Sequence, residues 1–142
     1  MAHSRSRVLV HLVWCTWLRT PWIEAALETT IHEAIAANAE RLLCPLHAFG
    51  AFHDHVHAAV DLHRTVSLAV LLRALKGASG HDAARARPEL GFRWQEGYGA
   101  FSISEQDPDA ALAYVRRQRE RHAAGHLHAE WEPGGFETDP VG

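Results

Sequence analysis

The apolar residues of this chain keep two different periods, and the order in which those periods alternate admits few folds. Residues 7–17, Arg-Val-Leu-Val-His-Leu-Val-Trp-Cys-Thr-Trp, are rich in β-branched and aromatic types and predict a first strand, buried on both faces for part of its length. Thr20-Pro21 has the form of an N-cap followed by proline at the first helical position. Ile23, Leu27, Ile31 and Ile35 then recur every four residues and Leu42 closes the stripe, which predicts a helix from about Pro21 to Leu43, ended by Pro45. Residues 46–52 are short and apolar, His53-Asp54 is a turn, and residues 55–62 complete a hairpin. Ser67 caps a second helix with Leu68, Leu71, Leu72 and Leu75 on its buried side; Gly77 and Gly80 stand where it would loosen or stop, and residues 81–91 read as a helix end and loop. Residues 92–104 predict a fourth strand whose two glycines, Gly97 and Gly99, mark a bend or a close backbone approach. Asp107-Pro108 opens a third helix, with Asp109 favourable in its first turn, and that helix fades near Gly125. The order is strand, helix, strand, strand, helix, strand, helix. Its first six elements give an α+β, ferredoxin-like split βαβ arrangement: a four-stranded antiparallel sheet with helices on one face, plus a C-terminal helix.

The bulk numbers set outer limits. A chain of 142 residues with 47% hydrophobic content suits one domain with one core. The expected division is a domain over 1–124 and an acidic, Gly/Pro-containing tail over 125–142. There is no apolar run of membrane-spanning length and no charged start followed by an apolar signal core, so a cytoplasmic protein without a membrane partner is expected. The two cysteines, Cys15 and Cys44, have no metal-ligand spacing and suit a reduced compartment. The net charge of −3 argues mildly against a nucleic-acid partner, but it is unevenly spread. Residues 64–121 carry ten Lys and Arg against seven Asp and Glu, while the last 21 residues carry four acids and no Lys or Arg. Thirteen of the fourteen basic residues are arginine, the side chain suited to planar bidentate phosphate contacts.

The chemistry-bearing stretch is His55-Val56-His57. On a strand, alternate side chains share a face, so the two imidazoles stand together and can hold one divalent metal. With 12 histidines in the chain such a pair can arise by chance, and it gains meaning only beside a third ligand and a reactive group. The third helix supplies both. Tyr114 and Gln118 are four residues apart and so lie one turn apart on one face. The glutamine carbonyl could complete a metal site and the tyrosine oxygen could act as a nucleophile.

At this point the chain resembles the single-tyrosine HUH transposases of the insertion sequence 200-like type, including the REP-associated tyrosine transposases. The residues that carry the resemblance are His55-Val56-His57 as the His-hydrophobic-His motif, Val10-His-Leu-Val-Trp-Cys-Thr16 with Arg19 and Pro21, Leu75-Lys76-Gly77, residues 94–104, and Tyr114-Val-Arg-Arg-Gln118. The similarity spans roughly residues 7–122, and the ordered set is more specific than any one motif. It implies a metal-dependent endonuclease and strand transferase that acts on single-stranded DNA, usually hairpin-forming, through a 5′-phosphotyrosine intermediate. Carried over, His55, His57 and Gln118 would bind Mg²⁺ or Mn²⁺, and Tyr114 would be the catalytic nucleophile. Arg19, Arg73, Lys76, Arg116 and Arg117 would contact DNA. With one such tyrosine per chain, a homodimer is implied, and no organic cofactor. Two alternatives stay open: a domesticated protein that binds hairpin DNA or RNA without cutting, and a small metal-binding protein unrelated to DNA. His11 reads as a core or ligand-facing histidine rather than a third ligand, His53 as a turn residue, and Tyr98 as a packing residue.

Overall fold

The computed structural model describes residues 6–103 and 108–116. The elements are β1 (Leu9–Cys15), α1 (Ala25–Arg41), β2 (Leu46–Phe52), β3 (His55–Asp61), α2 (Leu68–Ala86), β4 (Gly99–Ser102) and α3 (Pro108–Arg116), with 3-10 turns at Trp17–Arg19 and Pro88–Leu90. The four strands form one sheet in the order β2-β3-β1-β4, and every pairing is antiparallel. This is the α+β arrangement expected from the order of periods.

The strand period divides the sheet into two faces. Val10, Leu12 and Trp14 of β1 and Val56 and Val60 of β3 share one buried cluster with Leu27, Ile31 and Ile35 of α1 and Leu71, Leu72 and Leu75 of α2. Leu9 of β1, Ala48 of β2 and Ala59 of β3 share a second cluster with Ile103 and with Leu112 and Val115 of α3. The first two helices therefore cover one face, and α3 covers part of the other. The parity that sends Val56 to the helical layer sends His55 and His57 to the α3 side.

Three local expectations are corrected. Helix α1 begins at Ala25, not Pro21. The 3-10 turn at Trp17–Arg19 and an extended Thr20 precede it, and the Ile23 N–H donates to the His53 carbonyl (2.9 Å). Its cap is Glu24, whose carboxylate accepts from the N–H groups of Ala26 and Leu27 at 2.8 and 3.1 Å. Helix α2 runs unbroken through Gly77 and Gly80 to Ala86. Gly80 is small because a Cβ there would meet the Trp94 ring at 3.1 Å; its role is close packing, not termination. Strand β4 is confined to Gly99–Ser102, and residues 92–98 run irregularly with one isolated bridge, Thr16 to Trp94. The buried Lys76 explains that detour: its ammonium donates to the carbonyls of Gln95 (2.9 Å) and Gly97 (3.0 Å), satisfying groups that a continuous strand would have paired. Ser67 caps α2 as expected, accepting from the Val70 N–H at 3.1 Å. The start of α3 around Asp107, its continuation beyond Arg116 and the segment 125–142 lie outside the described residues.

Candidate active site

Three same-face rows cross the sheet on the α3 side. The register aligns Phe52, His55 and Cys15 in one row, Gly50, His57, Val13 and Gly99 in the next, and Ala59, His11 and Phe101 in the third. In the middle row, His57 stands beside a glycine on one flank and a valine on the other. Helix α3 packs over this face and brings Tyr114 against His57. The Tyr114 and His57 rings meet edge to face with centroids 6.1 Å apart, and His55 and His57 are 5.0 Å apart. Both histidines are wholly buried and Tyr114 is 2% exposed. The expected juxtaposition of the tyrosine with the histidine pair is thus present within one chain. Gln118 and Arg117 lie outside the described residues.

Each imidazole has a support. The His55 Nδ1 lies 2.7 Å from the Asp54 carboxylate. A carboxylate only accepts, so Nδ1 carries the proton and Nε2 is the nitrogen that can ligate. Asp54 is itself held by Arg19, whose Nε donates at 3.0 Å. Burial pushes the Asp54 carboxyl up, but the hydrogen bonds and charges of His55 and Arg19 outweigh it and bring the pKa down to about 2. The second support is His11, whose Nε2 is 2.6 Å from His57 Nδ1, with the rings stacked at 4.9 Å.

A strained turn sets the reach of Arg19. Leu18 and Arg19 both have positive φ, 54° and 56°, a conformation costly for side chains with a Cβ. The turn is held by several bonds at once. Thr16 Oγ1 donates to the Thr20 carbonyl (2.7 Å), Thr20 Oγ1 donates to the Trp17 carbonyl (2.7 Å), and the Leu18 N–H donates to Gln95 Oε1 (3.1 Å). Strain over-determined in this way belongs with sites that need a side chain in one position.

Arg73 is exposed on α2 and lines an open cleft of about 260 Å³ with Lys76, Gly77, Trp94, Gln95 and Glu96. The Arg116 guanidinium donates to the His47 carbonyl (2.9 Å), tying α3 to β2. The sequence reads Asp54 only as a turn residue and His11 as a core or ligand-facing histidine, not as supports of the pair. An acid directly before a candidate ligand was an available signal for Asp54. For His11 the signal appears only once the strand register is known. Among the described residues, no group of three His, Cys, Asp or Glu side chains stands close enough to hold a metal without an amide or other donor.

The sequence pattern of the family described as "Transposase IS200 like" matches residues 4–118. The chain belongs to that family. Two solved structures share its fold. One is a candidate transposase from Deinococcus radiodurans R1, 21% identical, covering 89% of this chain and 98% of its own, with a TM-score of 0.67. The other is a REP-associated tyrosine transposase bound to a REP hairpin, 13% identical, covering 100% of this chain and 96% of its own, with a TM-score of 0.62. No match was found among proteins of curated function. Among the described residues, no helix is long and apolar enough to cross a membrane.

Proposed function

We propose that this transposase cuts and rejoins single-stranded DNA through Tyr114. The observation that carries the reading is the contact between the Tyr114 ring and His57 in a single chain, on a sheet face where both neighbouring imidazoles have Nδ1 engaged. The Tyr114 oxygen attacks phosphorus. The bond from phosphorus to the 3′ oxygen breaks, the phenol proton is lost, and the departing oxygen takes up a proton to leave as a 3′-hydroxyl. A phosphodiester to tyrosine replaces the original phosphodiester, so a second 3′-hydroxyl can reverse the step and rejoin strands without ATP.

His55, His57 and Gln118 would hold Mg²⁺ or Mn²⁺, which when bound supplies charge neutralisation at the non-bridging phosphate oxygens. Two imidazoles with one amide oxygen suit Mn²⁺ better than the harder Mg²⁺. The protein's own part is orientation: Asp54 and Arg19 fix His55, and α3 sets the phenol over the sheet. A free phenol has a pKa near ~10, so the attacking oxygen must lose its proton with help from the site. Arg73, at the mouth of its cleft, and Arg117 would neutralise phosphates. The family neighbour bound to a REP hairpin supports hairpin-forming DNA as the substrate class. One attacking tyrosine per chain means that cutting both ends of an element takes two copies, so the active form is a homodimer.

The test is incubation with a labelled single-stranded hairpin and Mn²⁺, followed by denaturing electrophoresis. The wild-type protein forms a covalent adduct and Tyr114→Phe forms none while still retarding the hairpin in a native gel. An adduct that persists in the variant overturns the assignment of Tyr114. A wild-type protein that binds hairpins without forming any adduct is a hairpin-binding descendant of the fold.

A further inference from the structure

We propose that His11 is a positioning residue that sets the tautomer of His57, and so decides whether His57 Nε2 keeps a lone pair. The inference rests on the reading of His55 and His57 as metal ligands, but the state it assigns exists in the metal-free protein.

The geometry starts from the register. His11 pairs with Ala59 across β1 and β3, so His57, two residues before Ala59, is its diagonal neighbour on the same face. Both rings are buried, and their nitrogens, His11 Nε2 and His57 Nδ1, approach to 2.6 Å. At that distance one nitrogen carries the hydrogen and the other accepts it. If His11 donates, His57 must carry its own proton on Nε2, and that nitrogen cannot ligate. If His57 donates from Nδ1, its Nε2 keeps a lone pair. The companion histidine already has the second arrangement, because Asp54 can only accept from His55 Nδ1. The two supports grip the same ring atom of each histidine, one through a carboxylate and the other through a neutral imidazole. His11 therefore accepts at Nε2 and holds its own proton at Nδ1. The chain thus fixes both rings with Nε2 unprotonated, using Asp54 from the turn for one and His11 from the neighbouring strand for the other.

Long-range proton–nitrogen spectra of the ¹⁵N-labelled, metal-free protein report each imidazole's tautomer directly. Wild-type His57 is expected as Nδ1–H. In His11→Leu, which removes the acceptor and keeps an apolar strand residue, His57 shifts to Nε2–H. In His11→Gln, whose carbonyl oxygen can accept in the place of Nε2, it stays Nδ1–H. His55, held by Asp54, keeps its tautomer in all three proteins and serves as the internal check on folding. Mn²⁺ titration by calorimetry gives the second readout: affinity falls roughly 10–100-fold in His11→Leu and recovers in His11→Gln. A wild-type His57 found as Nε2–H, or one unchanged in a folded His11→Leu, overturns the proposal. If wild-type protein shows the assigned tautomer but takes up no Mn²⁺, the metal reading falls and the role of His11 stands.

Discussion

At the scale of single residues, Asp54 joins the candidate site to stability. It accepts from the buried His55 and is gripped by Arg19 in return. Asp54→Ala removes the group that orients His55, and Mn²⁺ affinity should fall roughly 10–100-fold, read by calorimetry. The same variant alters acid behaviour. Because the folded pKa, about 2, lies below the ordinary 3.8, the unfolded chain binds this proton more tightly. The linkage therefore stabilises the fold above about pH 4 and is lost as pH falls through 2, so the variant's stability should change less with pH across that window. Denaturant midpoints measured between pH 2 and 5 would show it. The alternation of His55 and His57 was legible in the sequence because a strand has no freedom in its period. The grip on Asp54 was not, because it depends on two consecutive residues, Leu18 and Arg19, adopting a backbone that their types disfavour.

Among the elements, helix α1 shows most clearly where pattern and packing disagree. Thr20-Pro21 has the stronger cap pattern, yet the chain uses Glu24, because the preceding residues are tied to the turn and to His53. The other end closes as a Schellman motif. The Cys44 N–H donates to the Ala39 carbonyl and the Leu43 N–H to that of Glu40, both at 2.9 Å, with Leu43 left-handed at φ 60°. Leu43 is 63% exposed, so its side chain contributes little there to offset the strain. Leu43→Gly should stabilise the protein by about 1 kcal/mol, the difference between relieved strain and the added entropy of the unfolded chain. Urea denaturation would measure it. The fourth strand was legible in kind but not in length, since nothing in residues 92–98 announces that a buried lysine will bind two of their carbonyls. The two glycines within helix α2 misled for a similar reason: Gly80 answers to the bulk of Trp94, a residue distant in sequence.

For the molecule as a whole, the order of strand and helix periods was enough to give the four-stranded antiparallel sheet with two helices on one face, because so few topologies accept it. What one-dimensional pattern could not give was the middle row of the sheet, where Gly50 and Gly99 flank His57 and Val13. The two faces are also very unequal. Among the described residues, seventeen form the buried apolar cluster shared with α1 and α2, whereas six form the cluster under α3, two of them from α3 itself. Apolar burial scales with area, so among the described residues the α3 side has the smaller apolar hold on the sheet. Deuterium uptake should therefore be fastest, among the helices, in the amides of 108–116, well before exchange reaches the centre of β1. If those amides exchange only with global unfolding, the lesser cluster is stiffer than its size indicates. The phenol proposed to form the covalent link thus rides on the described segment with the smaller apolar anchorage, so transient fraying of α3 would uncover it while the sheet beneath stays intact.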